Sequence, residues 1–348
     1  MSRVQTIIIE EDDADQRLDR WFKRVFPHIG QGRVEKLCRK GEIRVDGGRV
    51  KASTRLEAGN EVRIPPLPAP GEMPPRPVDM RISDKDAKMI RDCVIYKDDH
   101  VIAINKPAGL PTQGGSKQTK HVDGLAEALR FDFEEKPRLV HRLDKDTSGV
   151  LLLARTRKAA QSLTAALRHK ETRKIYWAVV AGVPTPYLGE IKYGLVKAAG
   201  HGKRGEGEKM HAVHPRDVDA TPGAKRAHTQ YATLYRVASR ASWVAMEPLT
   251  GRTHQLRAHM AEIGHPIIGD GKYGGSGQEN LGDGWGAQLG GIISNKLHLH
   301  ARTMAFEHPE TRKPVTIHAE LPPHMALTWD TFGWTPDLAD EDPFESLR

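Results

Sequence analysis

Five of the six residues from 141 to 146 carry a charged or titratable side chain: one His, one Arg, one Lys and two Asp. Residues 147–149 read Thr-Ser-Gly, a combination typical of turns. Residues 150–154 are continuously apolar, and a short apolar run next to a turn predicts a strand buried on both faces. Because charges beside a buried strand are costly unless they are paired, the pattern indicates a site in which a carboxylate lies against cations.

Three simpler interpretations compete with a catalytic site. The charges could form a surface salt-bridge cluster, or the segment could be a tight turn without function. The alternation of Asp144, Asp146 and Ser148 also matches the start of an EF-hand calcium loop. A calcium loop is excluded, because the twelfth position needs a bidentate Glu and is Arg155.

The run His141-Arg142-Leu143-Asp144, followed by Ser148-Gly149 and an apolar strand, resembles the catalytic motif of the RluA/RluC-type pseudouridine synthases. The resemblance implies that Asp144, not Asp146, is the essential carboxylate. The longest similar run, residues 250–270, contains Gly-Arg-Thr-His-Gln-Leu-Arg. It implies that an Arg of this run pairs with Asp144. Arg257 is the first choice, and Arg252 is the alternative for the pair or an RNA contact.

The resemblance also implies roles for a tyrosine and for the RNA contacts. Tyr176 opens the apolar alternation of a predicted strand over residues 174–180. By its pattern alone it is a core or edge tyrosine, whereas in the family this Tyr stacks on the target base. Arg142 would fill the gap that a flipped uridine leaves in the RNA, and His141 and Arg252 are further expected RNA contacts.

The implied reaction breaks the glycosidic bond of uridine, turns the base and rejoins it through carbon. It needs no redox change and no energy input, so no cofactor is expected. An arginine within about 4–6 Å favours the ionised form of a buried carboxyl, which burial alone would protonate. Whether Asp144 attacks the ribose or abstracts its proton is left open by the sequence.

The composition fits an RNA-binding protein of the cytoplasm. The 348 residues include 53 Lys and Arg against 45 Asp and Glu, a formal net charge of +8. This excess is compatible with a nucleic-acid partner, here large-subunit ribosomal RNA. Two Cys imply no disulfide framework and fit a reducing compartment. No apolar run is long enough to span a membrane, and a monomer is expected.

Residues 15–65 predict a small RNA-binding domain. Apolar periodicity predicts helices over 17–26 and 31–40, followed by a hairpin around Asp46-Gly47-Gly48 and a closing strand over 62–64. Two short helices with a basic face and a hairpin resemble the alpha-L RNA-binding domain of a small-subunit ribosomal protein. Its expected phosphate contacts are Arg33, Arg39, Lys40 and Arg44.

The remaining chain is divided by composition. Seven prolines between residues 65 and 77 predict an extended linker over 66–80. A catalytic domain over 81–325 and a tail over 326–348 follow. The stretches 197–228 and 274–291 are rich in Gly, and the first is interpreted as a mobile basic loop. From the family, we expect an α+β fold with a mixed, largely antiparallel sheet and flanking helices, plus the small N-terminal α/β-hairpin domain.

Metal and nucleotide sites are poorly supported. His254 and His259 lie about 140° apart around their predicted helix, so they cannot act as a ligand pair on one face. The sequence also lacks a Cys pair, a complete phosphate loop and a dinucleotide-binding motif. Two functions remain: isomerisation of uridine in large-subunit ribosomal RNA, and a non-catalytic RNA-binding role in ribosome assembly on the same scaffold.

Overall fold

The computed structural model describes residues 4–69, 82–114, 120–169, 171–197, 209–274, 292–339 and 342–347. The chain divides into two compact units, residues 1–81 and 82–348. Residues 70–80 of the predicted linker lie outside the described residues. Leu67, also within that prediction, packs in the core of the first unit.

The first unit contains two helices and a four-stranded antiparallel sheet. Its elements are β1 (Gln5–Ile8), α1 (Leu18–Val25), α2 (Gln31–Lys40), β2 (Arg44–Val45), β3 (Gly48–Arg49) and β4 (Glu61–Ile64). The strand order in the sheet is β1-β4-β2-β3. The predicted helices, hairpin and closing strand are confirmed. Strand β1 was not predicted.

The second unit is built on a ten-stranded sheet. Its strands are β5 (Val94–Lys97), β6 (Val101–Lys106), β7 (Arg138–Leu139), β8 (Ser148–Ala154), β9 (Arg173–Ala181), β10 (Leu188–Ile191), β13 (Thr229–Val237), β14 (Ala241–Pro248), β15 (Leu299–Glu307) and β16 (Pro314–His318). The order is β10-β13-β14-β9-β15-β8-β6-β5, with β16 on β15 and β7 on β8. Among the described strands only β8 and β15 pair in parallel, so the expected mixed, largely antiparallel sheet is confirmed.

Helices cover both faces of this sheet. They are α3 (Asp84–Asp92), α4 (Val122–Leu125), α5 (Arg157–His169), α6 (Gln255–Glu262) and α7 (Pro323–Phe332). Helices α3 and α4 pack on β6 and β8, α6 packs on β9 and β14, and Tyr176 contacts both clusters. These three helices therefore lie on one face, with Tyr176 between them. Helices α5 and α7 bury the opposite face.

The C-terminal segment is not the tail that was predicted for residues 326–348. Helix α7 begins at Pro323, and the predicted boundary after residue 325 falls inside it. Trp329, Trp334 and Phe344 are buried in the core cluster that contains Trp177 and Trp243 of the sheet. Large aromatic side chains gain most from burial, which fixes the segment against the sheet.

The first Gly-rich stretch is partly ordered as a hairpin. Strand β11 (Gly194–Lys197) pairs antiparallel with β12 (Met210–Val213). The prediction of a mobile loop over 197–228 is therefore wrong for its described part. Strand β12 has only four residues, which is too short for its apolar alternation to be recognised in the sequence. Residues 198–208, and residues 275–291 of the second Gly-rich stretch, lie outside the described residues.

Candidate active site

The loop that carries Asp144 is held by hydrogen bonds on both sides of that residue. The hydroxyl of Thr112 donates to Leu143 O (2.7 Å) and accepts from the Leu143 N–H (3.1 Å). On the other side, Lys145 O accepts from the Gly109 N–H (2.9 Å) and from Lys106 Nζ (3.1 Å). The segment 106–112, which precedes the loop by some thirty residues in sequence, thus fixes the backbone around the carboxylate.

Lys106 is a fully buried cation behind this loop. Its ammonium also donates to Pro107 O (2.9 Å) and Leu110 O (2.8 Å), so three carbonyl oxygens satisfy its three donors. Burial lowers the pKa of Lys106 to about 8, while the nearby Asp146 and Asp144 carboxylates oppose that shift. Lys106 therefore acts on the loop mainly by joining its backbone to the preceding segment.

Gly149 lets strand β8 approach strand β15 directly after the loop. Its φ is +111°, in the region that favours glycine, and an added Cβ would lie 2.2 Å from Ala301 O. Beside it, the Ser148 hydroxyl lies 2.8 Å from His300 Nδ1 across the parallel pair. The turn residues predicted at 147–149 thus bring the Asp144 loop against the centre of the sheet.

Helix α6 provides the opposite wall. It begins after His254, which has a left-handed backbone (φ 53°). The Gln255 amide ties the helix start to β13: its Nε2 donates to His228 O and to the Thr229 hydroxyl, both at 2.9 Å. Its Oε1 accepts from the Arg252 N–H at 3.1 Å. These bonds fix the direction in which Arg257 projects from the first turn of the helix.

Arg257 faces Asp144 but binds a different carboxylate most closely. Its Nη1 lies 3.8 Å from Asp144 Oδ2. Its Nε and Nη2 each donate to Asp270 at 2.7 Å, and both side chains are buried. The hydrogen bond to Asp270 and the charges of Asp270 and Asp144 raise the pKa of Arg257 against the effect of burial. Asp270 therefore orients a permanently charged guanidinium towards Asp144.

Two aromatic side chains complete the surroundings of the carboxylate. His254 Nε2 lies 3.8 Å from Asp144 Oδ2, and its Nδ1 lies 3.1 Å from the Tyr273 hydroxyl. Burial lowers the pKa of His254, against the attraction of Asp144. The ring of Tyr273 also lies under the Arg257 guanidinium, at 5.3 Å.

Tyr176 projects from β9 into the same space. Burial and, secondarily, the Asp144 charge raise the pKa of its hydroxyl, so the ring is neutral at ordinary pH. A cavity of about 170 Å³ brings Tyr176 together with Asp144 and Arg257. Arg142, Arg252 and His254 also line this cavity. The Asp144 side chain is 22% exposed, which is enough for contact with a bound ligand.

Among the expected RNA contacts, His141 lines the cavity and is also bonded to the backbone of β8. Its Nε2 accepts a hydrogen bond from the Leu152 N–H at 3.0 Å, and burial lowers its pKa to about 3. A neutral ring bound to the strand that follows the loop supports the loop and offers no charge to a phosphate. Arg142 and Arg252 are exposed at the cavity rim, and Arg252 Nε donates to Arg226 O (3.1 Å).

In the first unit, three of the four expected phosphate contacts have exposed side chains. Arg33 and Arg39 are exposed on α2, and Lys40 at its end lies 3.5 Å from Glu42. Arg44 differs, since its guanidinium donates to Gly41 O and Gly47 O, both at 3.1 Å. Its bonds to backbone carbonyls stabilise the hairpin turn, a role that composition and periodicity do not reveal.

Sequence reasoning gave no role to Asp270, His254, Lys106 or Thr112. Asp270 and His254 lie within the run that resembles the family, but nothing in their spacing indicates which cation or carboxylate each would meet. The described residues contain no group of three or more His, Cys, Asp or Glu side chains placed to hold a metal ion. Across the same residues, every helix is too short or too polar to cross a bilayer.

Comparison with known proteins places this geometry in a family. The family model described as RNA pseudouridylate synthase matches residues 100–262, and the S4 domain model matches residues 16–62. Ribosomal large subunit pseudouridine synthase C of Vibrio cholerae is 37% identical over 333 residues, which cover 94% of this chain and 97% of the relative. The protein of the same name from Escherichia coli K12 is 35% identical, over 91% and 93% of the two chains.

A solved structure gives the same result. Human RNA Pseudouridylate Synthase Domain Containing 4 is 27% identical, with a TM-score of 0.56 over 70% of this chain and 94% of the human chain. The match to the relative extends over nearly the whole sequence, and the family-model match includes both the Asp144 loop and helix α6. The chain therefore belongs to the RNA pseudouridine synthase family, and it carries an N-terminal S4 domain.

Proposed function

We propose that this protein isomerises specific uridines to pseudouridine in large-subunit ribosomal RNA, with Asp144 as the essential carboxylate. The observation that carries the proposal is the Asp144 carboxylate in a cavity where Arg257 Nη1 lies at 3.8 Å and Tyr176 forms part of the wall. The choice of RNA rests on the similarity to large-subunit pseudouridine synthases that match more than nine-tenths of the chain.

The reaction assigns one task to each of these side chains. The target uridine leaves its stack, at a cost of a few kcal/mol, and enters the cavity. Asp144 acts at the ribose while the N1–C1′ bond breaks and the C5–C1′ bond forms, and the C5 proton is lost in exchange for one at N1. Arg257 places its positive charge beside the carboxylate, with Nη1 at 3.8 Å from Asp144 Oδ2. Tyr176 stacks on the freed base, which returns about 1–3 kcal/mol.

Basic side chains outside the cavity would supply affinity. Arg142 at the rim occupies the space that the flipped nucleotide vacates, and Arg252 contacts the RNA beside it. In the S4 domain, Arg33, Arg39 and Lys40 bind phosphates without choosing a sequence. We further propose that the protein acts as a monomer in the cytoplasm.

Primer-extension mapping of pseudouridine tests the proposal. Ribosomal RNA from cells that lack the protein is compared with RNA from cells that express wild-type protein, Asp144→Asn or Asp146→Asn. Wild type and Asp146→Asn should restore the same stops, because Asp146 is exposed and is not among the described residues that line the cavity. Asp144→Asn should restore none while still binding RNA.

Retained modification with Asp144→Asn would reject the role of this carboxylate. If wild-type protein adds no pseudouridine but reverses a defect in subunit assembly, and Asp144→Asn does so equally well, the protein is a non-catalytic assembly factor.

A further inference from the structure

A second depression adjoins the cavity that contains Asp144. It has a volume of about 460 Å³ and is formed by the end of α5, the start of β9 and the segment after β14. We call it the flanking groove. Lys174, Pro248, Thr250, Gly251 and Arg252 line both the groove and the cavity. A polymer with one nucleotide in the cavity can therefore continue into the groove without crossing a wall.

Lys174 is the cation at the junction. It lies two residues before Tyr176 on β9, so both side chains project from the same face of the sheet. The separation along the strand is about 7 Å. Under the proposed function the target base lies against Tyr176, and a phosphodiester next to that nucleotide comes within reach of the Lys174 side chain.

The Lys174 ammonium has no hydrogen bond or ion pair with any residue in the described part of the chain. Glu247 is the carboxylate that acts on it electrostatically, but that carboxylate is bound by Arg173 Nε at 3.0 Å. Burial lowers the pKa of Lys174, against the pull of Glu247. A half-buried cation without a partner is costly, and an anionic ligand would remove that cost.

The lining of the groove favours a phosphate over a base. Four of its side chains are cationic (Arg168, Arg173, Lys174 and Arg252), against two carboxylates, Glu171 and Glu247. None of the described residues that line it is aromatic, whereas proteins bind unstacked bases chiefly on aromatic rings. Arg252 is exposed, and its Nε alone is engaged by Arg226 O, which leaves its terminal nitrogens for a ligand.

We propose that Lys174 and Arg252 bind the phosphodiester that adjoins the target uridine, so that the flanking groove receives the RNA strand beside the flipped nucleotide. The inference rests on the proposed function, because the flipped uridine in the cavity sets which phosphate lies at the junction. It adds a phosphate-binding site at the start of β9 to the RNA contacts already proposed for Arg142 and the S4 domain.

Binding is measured in the full chain with Asp144→Asn, so that bound RNA is not converted. The probe is a single-stranded nine-nucleotide RNA with one central uridine among adenosines. Two further probes carry an uncharged methylphosphonate either 5′ or 3′ of the uridine. In every probe the nucleotide on the 5′ side of each tested linkage has a 2′-O-methyl group, which keeps the linkage stable.

Lys174→Gln should weaken binding of the unmodified probe roughly tenfold and reduce the salt slope by about one. Lys174→Arg should keep most of the affinity. Lys88→Gln makes the same charge change on the exposed face of α3 and should have no effect. One of the two methylphosphonate probes should bind roughly tenfold more weakly than the unmodified probe to the protein that retains Lys174. The same probe should bind Lys174→Gln as well as the unmodified probe does, and this identifies the phosphate that Lys174 contacts.

Equal binding by Lys174 and Lys174→Gln, or penalties that simply add for both methylphosphonates, would overturn the inference. A second measurement decides the matter if the short probe binds too weakly. On the ribosomal RNA fragment mapped by primer extension, and with Asp144 present, Lys174→Gln should raise KM roughly tenfold and leave kcat unchanged. An unchanged KM contradicts the phosphate contact.

The two proposals can fail separately. Coupling between Lys174 and one phosphate, without any pseudouridine formed by wild-type protein, would keep the groove and reject the isomerase. Normal isomerisation with no effect of Lys174→Gln on RNA binding or KM would keep the isomerase and reject the phosphate site in the groove.

Discussion

Arg257 holds Asp270 with two hydrogen bonds of 2.7 Å, from Nε and Nη2, and turns its remaining nitrogen towards Asp144 at 3.8 Å. Asp270 also accepts from the N–H groups of Lys272 (3.0 Å) and Tyr273 (3.2 Å). A buried carboxylate with four donors is itself fixed, and it fixes the fork of the guanidinium. The cation beside Asp144 thus has a defined position before any RNA binds.

Replacing Asp270 with Asn should therefore lower both stability and turnover. It removes the carboxylate that binds the buried guanidinium most closely and leaves only Asp144 at 3.8 Å, which costs about 3–5 kcal/mol in the free energy of unfolding. A displaced Arg257 should reduce kcat by up to roughly 100-fold, with little change in RNA affinity. Urea denaturation and single-turnover assays at a temperature where the variant is folded measure the two effects.

Asp342→Asn is the matched control, because Asp342 also pairs with an arginine, Arg173, but is 25% exposed and on the opposite face. It should cost about 1 kcal/mol and leave kcat unchanged. Full turnover by Asp270→Asn would show that Arg257 is positioned without Asp270.

Arg257→Lys tests whether the fork geometry matters in addition to the charge. A lysine has a single ammonium and cannot hold Asp270 through two nitrogens while presenting a third to Asp144. We expect a folded protein, since the lysine still pairs with Asp270, and a loss in kcat of roughly tenfold or more, equal to about 1.4 kcal/mol. Circular dichroism and kinetics on the same preparation check both points. Wild-type kcat in this variant would reduce the role of Arg257 to charge alone.

Gly149→Ala should destabilise the second unit by roughly 3 kcal/mol, through backbone strain and overpacking together. The added methyl would meet Ala301 O at 2.2 Å in a backbone with φ +111°. Gly271→Ala makes the same change where nothing lies within 4 Å and φ is not positive, so it should stay within about 0.5 kcal/mol. Thermal and urea unfolding compare the two. Equal stability would mean that β8 and β15 can separate without cost.

Stability should fall steeply as the pH is lowered from about 6.5 to 4. Burial lowers the pKa of His259, His298 and His300 to about 4, below the value of 6.5 in the unfolded chain. Between these values the unfolded chain binds more protons, so stability is complete above pH 6.5 and is lost as the pH falls. His300 alone contributes roughly 3 kcal/mol.

Urea unfolding at a series of pH values measures this loss. His300→Gln should reduce the slope of the unfolding free energy against pH by the equivalent of up to one proton. The reason is that the wild-type His300 ring is neutral where it lies between the Ser148 hydroxyl and Ala319 O. The same slope in wild type and His300→Gln would show that His300 is protonated in the folded protein.

The S4 domain should contribute affinity that depends on salt. Replacing Arg33, Arg39 and Lys40 together with Gln should weaken RNA binding and lower the salt slope by about two to three, since each contacts a phosphate in our proposal. The single-turnover rate with saturating RNA should not change. A matched triple change at Lys85, Lys88 and Lys97 serves as the control. An unaltered slope between 50 and 200 mM salt would remove the basis for phosphate binding by α2.

Features that depend on neighbouring residues were determined by the sequence alone. The apolar run 150–154 lies in β8, which is buried throughout and also includes Ser148 and Gly149, and periodicity placed α1 and α2 within one or two residues. These features follow from local backbone preference and from one apolar face, which a short stretch of sequence contains in full.

The pairing of the charged side chains is visible in the tertiary structure alone. The motif offered two arginines for Asp144, and Arg257 is the one that approaches it, while its closest partner is Asp270. The fold also bonds the His141 ring to the backbone of β8 at the wall of the cavity, and it makes the expected tail part of the core. Such partners come from segments far apart in sequence, so their identity depends on strand order and side-chain direction in the packed sheet, which no local pattern encodes.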